Sequence, residues 1–305
     1  MEKDFIIKDN VEKICSGPTM KQFIKSLFDV RGKGITDEFL YIYDSIISAS
    51  RKLLGLSSFR GFYLPRDIQV ISKSLNNSIF YIQRKVNEIS HIMPYYETKT
   101  RSVIKSILEK GDICIDVGAY IGTYSVLMAR LVGSKGLVIA IEPSPISGIF
   151  VKNIRLNKLG NVILLRNAAY SKRKILNLYF TSNMPERSSI YKEWINVKNK
   201  KPVQVEAETL DSLLKKRLGN IPMKIKVLKI DAEGAEIDVL KGSKKVLNVT
   251  DFVIFESTRK NKEICKKILE KTGFKKITLL EHIDKIYYNF LAVRRDIDLN
   301  LVSKV

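Results

Sequence analysis

Along this chain the spacing of apolar residues changes character once. Up to residue 97 it follows a helical rhythm, punctuated by Gly32 and Gly34, by the Gly61 region with Pro65, and by Asn76-Asn77. The stretch 39–54 is amphipathic and predicts a packed helix, with Gly55 placed to end it. From residue 98 short β-branched runs alternate with helical stretches. A helix at 98–110 ends at Gly111; ICIDV (113–117) predicts a buried strand, followed by a glycine turn and a helix at 123–131. Strands follow at 137–142, 162–169 and 175–181, with a helix at 147–159 after the first of them. Residues 182–201 are expected as a polar loop around Trp194. Beyond it lie a strand at 203–207, a helix at 210–218, a strand at 225–231, a helix at 235–247, a strand at 251–257 and a helix at 261–272. Two last strands, 276–281 and 286–293, are close enough for an antiparallel hairpin. Strands alternating with helices predict an α/β fold, a mostly parallel, doubly wound sheet with helices on both faces.

Charge follows the same division. Of 53 basic and 32 acidic residues, 14 and 11 lie in 1–97, so that part is +3 and the remainder +18. Such a field favours acidic partners: nucleic acid, an anionic membrane surface or acidic glycans. A lysine-rich, solvated surface is the plainer alternative, since much of the excess sits in short clusters such as Lys215-Lys216-Arg217. Cys15, Cys114 and Cys265 are odd in number and far apart, which argues against a disulfide framework or a zinc cluster. With no apolar run of membrane-spanning length and no signal-peptide pattern, the expected location is cytoplasmic.

The sharpest constellation is Asp116-Val117-Gly118-Ala119-Tyr120-Ile121-Gly122, between a buried strand and a helix. In a doubly wound sheet a ligand lies beyond the carboxyl ends of the strands. Gly118 and Gly122 are expected to let backbone pass close to it. Two glycines with three residues between them do not make a GxGxxG phosphate cradle, which suits a cofactor without phosphate. Glu142 ends the next strand, where a carboxylate can accept both hydroxyls of a ribose, and Pro143 fixes the turn after it. Asn167 and Ala168, after the third strand, are candidates for the adenine edge, although a plain turn explains them equally.

These residues resemble the class I methyltransferase fold, DVGAYIGTYSV (116–126) its first motif and AIEP (140–143) its second. The later string Lys229-Ile230-Asp231-Ala232-Glu233-Gly234-Ala235-Glu236, followed by VLKGS (239–243), resembles the FkbM-type methyltransferases. The resemblance covers roughly 97–257, with Tyr96-Glu97 and TLDSLL (209–214) fitting it too. It implies a seven-stranded, Rossmann-like fold for a catalytic domain over 98–297; the residue pattern sets a helical appendage over 1–97 and a tail at 298–305 outside it. It also implies S-adenosyl-L-methionine as cofactor, held by Glu97, Asp116, Gly118, Ala119, Tyr120, Ile121, Gly122, Glu142, Pro143, Asn167, Ala168 and Asp231. The implied acceptor is a hydroxyl of a sugar, glycan or small molecule, with RNA or protein as the alternative that the basic charge favours. A non-catalytic binding protein on the same fold is a third reading, disfavoured by the intact motif residues. Asp231 is expected to orient the acceptor or take its proton, with Glu233 second. Glu256 is a weaker candidate. Glu236 is either part of that group or an acid favoured by a helix N-terminus. No metal is expected, for no His joins these acids; His91 and His282 are expected as surface or packing residues. Ser188, Ser189, Tyr191 and Trp194, with Arg187 and Lys192, suit recognition of a sugar or anion.

Overall fold

The computed structural model describes residues 19–53, 64–84, 87–181, 184–192, 202–283 and 286–294. Cys15, Gly55, Gly61, Trp194 and the expected tail lie outside them. The chain divides into two compact units, Met1–Thr98 with His282–Tyr287, and Lys99–Glu281 with Tyr288–Val305.

The first unit is not purely helical. Its helices, Met20–Asp29 and Ile35–Leu53, and a 3-10 turn at Asn87–Ile92 accompany an antiparallel sheet of β1 (Val30–Gly32), β2 (Ile68–Ser72) and β3 (Ser78–Ile82), in that order. The first helix opens with a capping box: the Thr19 hydroxyl accepts from the Gln22 N–H, and the Gln22 side chain accepts from the Thr19 N–H. β2 and β3 each alternate buried and half-buried positions, and Asn76 and Asn77, both left-handed, reverse the chain between them. The helical reading failed here because each strand offers only five residues of alternation. The 39–54 expectation also changes. The helix begins four residues earlier, and its apolar stripe faces outward rather than into a core, the buried positions being Tyr41, Asp44 and Ser45.

In the second unit, β4 (Ile113–Val117), β5 (Leu137–Ile141) and β6 (Val162–Leu165) run to one side of a parallel sheet. β11 (Ile225–Ile230) and β12 (Thr250–Thr258) run to the other. β13 (Phe274–His282) and β14 (Tyr287–Arg294) complete seven strands in the order β13-β14-β12-β11-β4-β5-β6. The short link between the last two permits only the antiparallel arrangement, closed by the Ile283 N–H on the Tyr287 carbonyl at 2.9 Å. Central strands are mostly apolar because helices cover both faces. Ile115, Val227, Leu228 and Val253 are wholly buried. The order reverses between β4 and β11, so that two crossovers part there and leave a crevice at the strands' carboxyl ends.

A second, four-stranded sheet has the order β7-β10-β8-β9: β7 (Ala168–Ala169), β8 (Lys174–Thr181), β9 (Met184–Ser189) and β10 (Val203–Glu208). Two expectations are corrected by it. The run 162–169 is two strands in two sheets, broken at the exposed Arg166. Part of the expected polar loop is β9, which pairs antiparallel with β8; MPERSS lacks both alternation and β-branching, so nothing in its composition marks it as a strand. The expected helix 235–247 is likewise two, Glu236–Lys241 and Lys244–Asn248. Gly242 lies between them, where a Cβ would come within 2.0 Å of the Tyr170 carbonyl oxygen.

Candidate active site

The crevice is built from the ends of β4, β5 and β11. The Asp231 N–H donates to the Val117 carbonyl at 2.9 Å, tying the end of β11 to the glycine turn. Three residues of that turn are left-handed: Gly118 (φ 78°), Tyr120 (φ 50°) and Gly122 (φ 90°). Protein neighbours already leave no room for a side chain at either glycine. A Cβ on Gly118 would lie 1.7 Å from the Asp231 carbonyl oxygen, and one on Gly122 2.9 Å from the Phe150 ring. The N–H groups of Gly118 and Ala119 both donate to the Ile141 carbonyl, and Ile121 is buried with its carbonyl accepting from the Asn153 amide.

Asp116 is wholly buried. Ser125 donates to its Oδ2 at 2.6 Å, while Oδ1 has no hydrogen-bond partner among the described residues. Burial pushes its carboxyl above the ordinary range. Glu142 is also buried, with Oε2 accepting from the Tyr120 N–H at 2.7 Å and Oε1 from the Ser144 N–H at 2.9 Å across Pro143; burial again raises its pKa. Each of its oxygens retains one further acceptor position.

Lys229 lies within the 229–236 motif, and only the fold gives it a role. It sits in register beside Asp116 on the adjacent strand, and its ammonium donates to Asp231 Oδ2 at 2.9 Å. The same ammonium lies 4.6 Å from the centre of the Tyr124 ring, so Tyr124 floors the ion pair. The Lys229 side chain is 4% exposed and that of Asp231 24%, which places the cation beneath and the carboxylate at the opening. The available signal was a lysine inside the apolar run IKVLKI.

After Asp231 the chain turns through left-handed Glu233 (φ 47°) and Gly234 (φ 100°). Glu236 holds this turn: its Oε1 accepts from the N–H groups of Ala232 and Gly234, each at 3.0 Å. It thus belongs to the loop's internal structure, and burial pushes its pKa up to about 7. The Ser189 hydroxyl donates to the Glu233 carbonyl at 2.8 Å, so β9 is fastened to the same loop. Glu256, buried near the end of β12, lies one strand over. Asn167 precedes β7, whereas Ala168 packs with Leu176, Leu178, Val205 and Ala207 in the second sheet's core. Glu97 falls in the first unit, buried and left-handed at φ 45°. His91 packs against Tyr96, with ring centres 4.7 Å apart. Cys114 and Cys265 are buried free thiols, the latter pushed by burial up to about 12. No cluster of three or more metal-ligating side chains occurs among the described residues.

A seven-stranded sheet of this order, with an acid at the end of each of the first two strands and a glycine turn at its switch point, is the fold of the S-adenosylmethionine-dependent class I methyltransferases. The chain belongs to the FkbM family of these enzymes: the Methyltransferase FkbM domain matches residues 116–289. It is 28% identical over 181 residues to Methyltransferase 1 of Beauveria bassiana, covering 52% of this chain and 71% of that protein. It is 30% identical over 159 residues to the hexuronic acid methyltransferase AglP of Haloferax volcanii, covering 51% of this chain and 61% of that one, less than two thirds of its length. Among solved structures, Methyltransferase FkbM from Methylobacillus flagellatus KT aligns over 65% of this chain and 55% of that one, with a TM-score of 0.43 and 15% identity.

Proposed function

We propose that this protein binds S-adenosylmethionine at the β4–β5–β11 crevice and methylates a hydroxyl of a sugar, glycan or other small molecule. The observation that carries this reading is the Lys229–Asp231 pair at the switch point, beside Asp116. The chain's own groups suit the cofactor. Asp116 Oδ1 is a buried acceptor in want of a donor, and the Glu142 carboxylate has two positions left for a ribose diol. The turn Gly118–Gly122 follows β4, Pro143 follows Glu142 beyond β5, and Asn167 follows β6.

When bound, the cofactor would supply an electrophilic methyl group on a sulfonium. The protein's part is alignment and proton removal. Lys229 fixes one oxygen of Asp231, and the other receives the acceptor's hydroxyl proton. Glu233 sits next in the loop as a second polar contact for the acceptor. A relative that acts on hexuronic acid, together with a +18 charge beyond residue 97, points to an acidic sugar before a neutral one.

The test is transfer of labelled methyl to separated glycan, small-molecule, RNA, protein and lipid fractions of a cell extract. Label in the glycan or small-molecule fraction is expected. Label confined to RNA or protein would replace this reading with the one the basic surface suggests.

A further inference from the structure

The helix Ile35–Leu53 carries a stripe of large apolar side chains exposed to solvent. Ile35 is 93% exposed, Phe39 66%, Ile42 43%, Tyr43 52% and Ile46 59%. The opposite side of the helix is the buried one, with Tyr41 and Asp44 inside. At about 200 Å² per large side chain, the five leave roughly 600 Å² of apolar surface open. A monomer ordinarily shows a few hundred, and a standard interface takes about 800 Å² from each partner.

The spacing 35, 39, 42, 46 advances by four, three and four, the seam of one helix packed against another. It is also palindromic. Under a two-fold axis between residues 40 and 41, Ile35 meets Ile46 of the other copy and Phe39 meets Ile42, apolar on apolar at every level. Tyr43 stacks on Phe39 within each copy, with ring centres 6.3 Å apart, and widens the seam at its middle. No charge lies in the stripe, so identical faces meet without repulsion. A lipid surface fits less well. Helices that lie on membranes carry lysine and arginine along the polar side, whereas residues 35–46 contain Asp37, Glu38 and Asp44 and no basic residue.

We propose that this helix is the seam of an antiparallel, two-fold homodimer. Sedimentation equilibrium of the full chain at micromolar concentration is expected to give twice the monomer mass. Phe39→Asp is expected to give the monomer mass, with its circular dichroism spectrum unchanged. Ile35→Lys alone should weaken the dimer at least tenfold. The chain carrying both Ile35→Lys and Ile46→Glu should recover it, because antiparallel pairing sets opposite charges together. A monomer at every concentration up to about 100 μM would overturn the proposal. So would a Phe39→Asp variant that remains dimeric, a double variant weaker than the single one, or a monomeric chain that co-sediments with phospholipid vesicles.

Discussion

Glu236 and Gly118 show what single residues do for this site. Glu236 is buried and its carboxyl is pushed from the ordinary 4.5 up to about 7. With the folded pKa above the unfolded one, the native state holds the extra proton between those values. Its contribution is therefore fully present below about pH 4.5 and is lost as pH rises through about 7. Glu236→Gln keeps an oxygen for the Ala232 and Gly234 N–H groups and removes the titration. Its melting temperature should fall less than the parent's between pH 4.5 and 7, and at pH 8 it should equal or exceed the parent's. Thermal melts across that range check this, and a variant that tracks the parental curve would refute it. At Gly118 a left-handed backbone coincides with the Asp231 carbonyl, 1.7 Å from where a Cβ would stand. Gly118→Ala should cost more than about 2 kcal/mol. Gly111→Ala, also at positive φ but with open space around it, should cost only about 1 kcal/mol. Denaturant midpoints of the two variants decide it; equal losses would mean that strain alone, rather than the carbonyl, excludes a side chain.

At the scale of elements, the β8–β9 hairpin matters because the Ser189 hydroxyl fastens it to the Glu233 carbonyl. Ser189→Ala should leave cofactor binding within about twofold and lower turnover about tenfold, since one lost hydrogen bond is worth on the order of 1 kcal/mol. Equal loss of binding and turnover would instead make the bond a support of the whole crevice. The parallel strands were legible because ICIDV, LVIAI and IKVLKI are mainly apolar, β-branched runs bounded by turns. Asp116, Glu142 and Asp231 could be placed at strand ends for the same reason. β9 was not legible, since its pairing comes from its neighbour and not from its own composition. The first unit's sheet needed long-range pairing of β1 with β2 across a 19-residue helix. Lys229 shows the same limit at the site. A lysine in a strand is visible in sequence, but its partners Asp231 and Tyr124 become apparent only when β4 and β11 lie side by side.

For the molecule as a whole, the crevice and the charge have separate consequences. S-adenosylmethionine at 100 times its Kd should stabilise the protein by about 2.7 kcal/mol, a rise of several degrees in melting temperature. Glu142→Ala should abolish most of that rise. If Glu142→Ala keeps the full shift, the ribose is held elsewhere. No helix among the described residues is long and apolar enough to cross a membrane. An acidic acceptor drawn by the +18 charge should show a KM that rises with salt while kcat holds.

The central claim is that Asp231, set by Lys229, receives the acceptor's proton at a cofactor site built by other residues. Asp231→Asn tests it most directly, with cofactor affinity measured by calorimetry and methyl transfer measured to the acceptor fraction that the parent labels. Affinity should stay within about twofold while transfer falls by about 10²- to 10⁴-fold. Transfer at the parental rate, with the cofactor bound, would contradict it.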